Sequence, residues 1–114
     1  MNIFLKWIVN ALAVILTAYV LPGVAVTGLG TALLVALVLG LLNILIKPFL
    51  ILLTLPITIL TLGLFTFIIN AVLVMLTSRI VPGFFVQDFW YGLLFSLVFS
   101  IVTSAFSALE QQTN

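Results

Sequence analysis

Sliding the chain against itself by 60 positions superimposes Asn10-Ala11 on Asn70-Ala71, Leu16-Thr17 on Leu76-Thr77, Pro22-Gly23 on Pro82-Gly83 and Leu33-Leu34 on Leu93-Leu94, with no gap. Ile8, Val14, Val26, Leu37 and Val38 recur at Ile68, Val74, Val86, Leu97 and Val98. Leucine and valine matches carry little weight in so apolar a chain. The asparagine, threonine, proline and glycine matches carry the argument, and they read as a tandem duplication. Whatever one half folds into, the other half must fold into as well. The expectation is one domain over 1–114, with repeat one at about 3–46, a central turn at about 47–63 and repeat two at about 64–109.

Composition decides the solvent. With 66% hydrophobic and 4% charged residues, the chain falls far short of the roughly one quarter charged residues that a soluble surface needs. It reads as a membrane protein whose main partner is the lipid bilayer. A crossing takes about 20 apolar residues, so these 114 residues hold about four helices and no soluble domain. The chain has no cysteine and no histidine, which removes disulfides, thiolate metal sites and the commonest metal ligand and general base. A net charge of +1 gives no case for nucleic acid. The first twenty residues resemble a signal peptide, with Lys6 ahead of an apolar run. The same segment recurs inside the chain, so the expectation is a retained helix.

The first helix is expected at about Ile3 to Val20, bracketed by Trp7 and Tyr19, residue types that settle at membrane interfaces. Pro22-Gly23 breaks it, and Val24 to Gly30 reads as an extended surface loop. A second helix, about Thr31 to Leu53, should kink at Lys47-Pro48. Thr54 and Pro56 mark a helix start, giving a third helix from about Pro56 to Ile80. The alternative is a re-entrant hairpin over 49–62; the continuous helix is preferred because uncompensated backbone in hydrocarbon is costly. Pro82-Gly83 then repeats the first break, Phe84 to Tyr91 forms an aromatic loop, a fourth helix covers about Gly92 to Leu109, and Glu110 to Asn114 make a polar tail.

A unit of two crossings returns to its starting side, so the copies point the same way. The fold class expected is all-α integral membrane, with four transmembrane helices as two parallel helical hairpins about an axis along the membrane normal. Both Pro-Gly loops then share one face. Val24 to Thr27 and Phe84 to Gln87 are extended in pattern, and segments running across such an axis meet antiparallel, so a short β-ribbon between the outer loops is expected. Lys6 and Lys47 on the terminal side, against Arg79 on the loop side, place both termini in the cytoplasm of a bacterial inner membrane.

The candidate residues fall in three groups. Ala32, Ala36 and Gly40 recur every fourth position in the second helix, as do Gly92, Ser96, Ser100 and Ser104 in the fourth. Such ladders allow close helix contact, within the chain or between copies of it. Asn10, Asn43, Asn70 and Lys47 are polar groups at membrane depth; the asparagines serve either a polar site on the axis or interhelical hydrogen bonds. Lys47 either marks an ion path or lipid-headgroup site or snorkels to the interface. Pro22, Gly23, Pro56, Pro82 and Gly83 set the loops and turns. The two carboxylates, Asp88 and Glu110, are placed on opposite membrane faces, so no catalytic constellation is found, no cofactor is expected and the chain is read as not an enzyme.

The residues Asn43, Lys47-Pro48, Leu55-Pro56-Ile57, Thr61-Leu62-Gly63-Leu64-Phe65, Asn70, Gly83-Phe84 and Ser100 to Ser104 together resemble the phage holin family of the holin superfamily IV type, small four-helix bacterial membrane proteins. The resemblance implies self-association into a homo-oligomer and permeabilisation of the cytoplasmic membrane. Many holins end in a basic cytoplasmic tail, whereas this chain ends in Glu110 and neutral residues. A non-lytic structural or stress-response role and passive carriage of a small solute or lipid therefore stay open beside it.

Overall fold

The computed structural model describes residues 2–113, with side chains described to residue 110. Helix α1 covers Ile3–Val20, as the sequence predicts. The Asn2 side chain starts it by accepting from the Leu5 N–H at 2.8 Å, which satisfies one of the open donors of the first turn. Pro22-Gly23 ends it, and strand β1 follows at Val24–Val26. Helix α2 covers Leu29–Leu45 and α3 Lys47–Leu53, with a 43° bend between them. Pro48 lies in the first turn of α3, so the expected kink is present and attributable to proline.

The continuous third helix does not form. Instead α4 covers Leu55–Leu60, a turn follows, and α5 covers Phe65–Ile80. Helix α4 closes with the Gly63 N–H donating to the Thr58 carbonyl at 2.8 Å and the Leu62 N–H to the Ile59 carbonyl at 3.1 Å. These are the two bonds of a Schellman cap, with Leu62 at φ 58° and Gly63 at φ 90°. Threonine hydroxyls add to the hydrogen bonding around the break. The Thr54 hydroxyl donates to the Leu50 carbonyl at 2.7 Å, Thr58 to Thr54 at 3.1 Å, and Thr61 to Ile57 at 3.1 Å. The Thr61 hydroxyl also accepts from the Phe65 N–H at 3.2 Å. These hydroxyls share carbonyls that already accept the backbone N–H of the same residue, Leu50 from Thr54, Thr54 from Thr58 and Ile57 from Thr61, so each hydroxyl is satisfied within its own turn and needs no outside partner.

Strand β2 covers Phe84–Val86 and α6 covers Phe89–Thr113. The aromatic loop is therefore partly strand and partly the first turn of a helix, which the Asp88 carboxylate caps by accepting from the Tyr91 N–H at 3.0 Å. The expected polar tail continues α6 through Thr113, since glutamate and glutamine favour helix and nothing there breaks it; Asn114 lies outside the described residues.

The expected ribbon forms. β1 and β2 are antiparallel, with Val24 opposite Val86, Ala25 opposite Phe85 and Val26 opposite Phe84. Two flanking bonds extend it, Thr27 N–H to the Gly83 carbonyl at 3.1 Å and Gln87 N–H to the Gly23 carbonyl at 2.8 Å. A shift of 60 positions turns each of these bonds into the other. Helices α1 and α2 pack together, as do α5 and α6, while α6 packs on α1 and α2 on α5, closing a four-membered ring.

Burial follows the same offset. Ala11, Val14 and Thr17 are buried in α1, and Ala71, Val74 and Thr77 in α5; Val35 of α2 and Phe95 of α6 are fully enclosed at matching positions. The Thr17 hydroxyl donates to the Ala13 carbonyl at 2.7 Å and Thr77 to Leu73 at 2.8 Å, so these buried hydroxyls are satisfied within their own helices. Phe84 of the ribbon meets Phe95 edge-on and Phe95 stacks on Phe99, with centroids 5.5 Å apart at each step. Outward stand Leu12, Leu16, Leu37, Leu41, Val72, Leu76 and Leu94, all exposed, an apolar skin suited to hydrocarbon.

Candidate functional site

Polar side chains gather away from the ribbon, in the half of the bundle nearest the termini. A cavity of about 220 Å³ is lined by Leu39, Asn43, Lys47, Asn70, Val74, Ser96, Phe99, Ser100 and Thr103. A second, of about 450 Å³, is lined by Lys6, Val9, Asn10, Phe99, Thr103, Phe106, Ser107 and Glu110. Phe99 and Thr103 wall both. Under the repeat offset, Asn70 corresponds to Asn10, Asn43 to Thr103, Leu39 to Phe99 and Lys47 to Ser107. Asn10, Phe99, Thr103 and Ser107 of the second cavity thus stand at the positions of Asn70, Leu39, Asn43 and Lys47 of the first, and the two meet at a shared wall.

Helix spacing explains why these side chains converge. Asn43 and Lys47 lie four residues apart on the last turn of α2 and the first of α3, and Ser96, Ser100 and Thr103 follow the corresponding face of α6. Two hydroxyls are engaged: Ser96 donates to the Gly92 carbonyl at 3.1 Å, and Thr103 to the Phe99 carbonyl at 2.9 Å. Among the described residues the amides of Asn10, Asn43 and Asn70 make no interhelical hydrogen bond; Asn10 and Asn70 are half-buried, Asn43 is exposed, and all three line cavities. Of the two roles open to the asparagines, the geometry presents the lining of a polar space. Lys47 is half-buried in the first cavity, while Lys6 is exposed at the second. The stripe of Lys6, Asn10 and Thr17 divides, with Thr17 sealed in the core.

The small-residue ladders divide too. Ala32, Ala36, Gly92 and Ser96 are buried between helices, and a Cβ on Gly92 would come within 3.1 Å of the Met75 sulfur. Gly40 has no atom within 4 Å of such a Cβ; it borders an open groove of about 390 Å³ between α1 and α2 that also holds Lys6, Asn10 and Asn43. Ser100 and Ser104 are exposed. Pro22, Gly23, Pro82 and Gly83 flank the ribbon, Gly83 at φ 90° and Gly23 against the Tyr91 ring, while Pro56 lies in the first turn of α4.

Several contacts carry no sequence signal. Trp7, read as an interface marker, instead donates its indole N–H to the Leu33 carbonyl of α2 at 2.8 Å. Phe99 as a shared wall could have been found only by aligning it with Leu39 and asking what the larger ring displaces. Glu110 joining Lys6 and Asn10 follows from α6 running past its expected end.

The family described as mycobacterial 4 TMS phage holin, superfamily IV, matches residues 1–105. Protein SCO3922 of Streptomyces coelicolor is 39% identical over 117 aligned positions, covering 94% of each chain. The Bacillus subtilis membrane protein YvlD is 38% identical over 111 positions, covering 94% of this chain and 91% of its own. No solved structure matches the chain. These likenesses point to a bacterial membrane, in keeping with the apolar exterior and with two helices, Ile3–Val20 and Phe89–Glu110, long and apolar enough to cross one.

Proposed function

The chain belongs to the family of mycobacterial 4 TMS phage holins, superfamily IV, and from that premise we propose a polytopic protein that crosses the bacterial cytoplasmic membrane four times as two parallel hairpins and permeabilises it only on self-association. Membership suggests a non-enzymatic membrane protein. The crossings are α1, the bent pair α2 and α3, α5 and α6. Helix α5 has 16 residues, about 24 Å at 1.5 Å per residue, so the capped turn before it must lie within the membrane. The matching burial and hydrogen bonds of the two halves support the parallel reading. Lys6 and Lys47 on one side and Arg79 on the other favour cytoplasmic termini.

One observation carries the dependence on self-association. The ribbon half of the bundle is packed shut: Val14, Val35, Leu73 and Phe95 are at most 1% exposed, and the Thr17 and Thr77 hydroxyls are consumed within their helices. A single copy therefore has polar cavities at one end and no polar path through the other. The open space at Gly40 and the exposed Ser100 and Ser104 offer small-residue faces for a second copy.

Controlled expression in a bacterial host with a membrane-potential dye tests this. Depolarisation should set in steeply above a threshold expression level, together with cross-linked oligomers. Oligomers or monomers without depolarisation at any level would overturn permeabilisation and favour a non-lytic structural role. A second reading, passive carriage of a small solute or lipid, draws on the paired cavities about the axis.

A further inference from the structure

The two half-cavities differ in charge in a way that only their equivalence exposes. Each holds one lysine, but from different places in the repeat: Lys47 corresponds to Ser107, and Lys6 to Thr66. The second cavity also holds Glu110. The first holds no carboxylate, since the other acid of the chain, Asp88, caps α6 beside the ribbon. What the first cavity offers is a surplus of donors. The Lys47 ammonium brings three N–H groups and the amides of Asn43 and Asn70 two each. Among the described residues none of these is engaged by another side chain, and Ser100 adds a hydroxyl at the rim.

Lys47 lines this space half-buried with no carboxylate beside it, and a partly buried charge is costly unless something pairs with it. The volume, about 220 Å³, equals roughly seven waters at about 30 Å³ each, more than a monatomic ion needs. Donors reaching it from α2, α3, α5 and α6 surround the space rather than line one wall, which suits a group with several acceptor oxygens. We propose that this cavity binds a phosphate-bearing anion, either the headgroup of an anionic phospholipid or free phosphate, with Lys47 as its counter-charge and Asn43, Asn70 and Ser100 as donors. The site requires neither pore formation nor self-association.

The full chain in neutral detergent micelles is titrated with inorganic phosphate, with short-chain phosphatidylglycerol and with short-chain phosphatidylcholine, and affinity is read from the rise in melting temperature. Saturable stabilisation by phosphatidylglycerol well above phosphatidylcholine identifies a headgroup site; equal stabilisation by phosphate alone identifies a free-phosphate site. Lys47→Gln should weaken binding at least tenfold, and Lys6→Gln, at the cavity with the carboxylate, less than twofold. Should Lys47→Gln fail to fold, Ser100→Asp at the exposed rim decides, and it too should weaken binding tenfold. No stabilisation by either anion, or affinities within twofold of wild type in Lys47→Gln or Ser100→Asp, would overturn the site.

Discussion

Ala25 lies directly across the ribbon from Phe85, 60 positions further along the sequence. In the proposed twofold arrangement only one pair of equivalent residues can face each other, and these two would be that pair. Every other pairing is exchanged: Val24 meets Val86 and Val26 meets Phe84. Both Ala25 and Phe85 are exposed, within reach of reagents.

Cysteine substitution at Ala25 and Phe85 should give efficient intramolecular disulfide on oxidation, because directly opposed strand residues lie about 4.5–5.5 Å apart at Cα, within disulfide reach. The pair Val26 and Val86 is staggered by two positions and should link poorly, at about 7–8 Å. Gel mobility without reductant checks both. Preferential linking of Val26 to Val86 would mean a different register.

Gly92 and Gly40 are the glycines of the two small-residue ladders, matching Ala32 and Ser100 under the 60-position offset, and substitution should separate them. Gly92→Leu drives a side chain into Met75 and the Ala71 carbonyl and should destabilise by about 1–3 kcal/mol, as overpacking does. Gly40→Leu meets open space and should leave the melting temperature of monomer in detergent unchanged or higher, since leucine favours helix over glycine by up to about 1 kcal/mol. Any effect of Gly40→Leu should appear in oligomer size. Equal loss of stability in both variants would contradict the difference.

Leu62 is 93% exposed at φ 58°, where a side chain costs about 1–2 kcal/mol. Leu62→Gly should therefore raise stability by up to about 1 kcal/mol in thermal unfolding, an unusual direction for removing a large apolar residue. A clear loss would mean that the leucine contributes through contacts outside the chain.

The course of the fold was legible where polar or special residues recur. Pro22-Gly23 and Pro82-Gly83 marked the ends of α1 and α5 and the loops that pair as the antiparallel ribbon. The break before α5 was not legible in the same way. Gly63 sits in an apolar run, and the back-bonding of Thr54, Thr58 and Thr61 appears only once helix turns place each hydroxyl over the carbonyl four residues back. The ladders gave positions but not neighbours, so Gly40 and Gly92 looked alike. Of the site, Asn43, Asn70 and Lys47 were visible as polar groups within apolar runs. Their meeting in one cavity depends on the α2–α5 and α5–α6 contacts, which no local pattern encodes.

The parallel arrangement of the two hairpins is tested most directly by sidedness labelling. The chain has no cysteine, so single cysteines at Asn2, Ala25 and Gln87 report without background. A membrane-impermeant maleimide applied to intact spheroplasts should label the Ala25 and Gln87 variants and leave Asn2 unlabelled, and inverted vesicles should reverse the pattern. Labelling of Ala25 and Gln87 from opposite sides of the membrane would contradict two parallel hairpins sharing one ribbon.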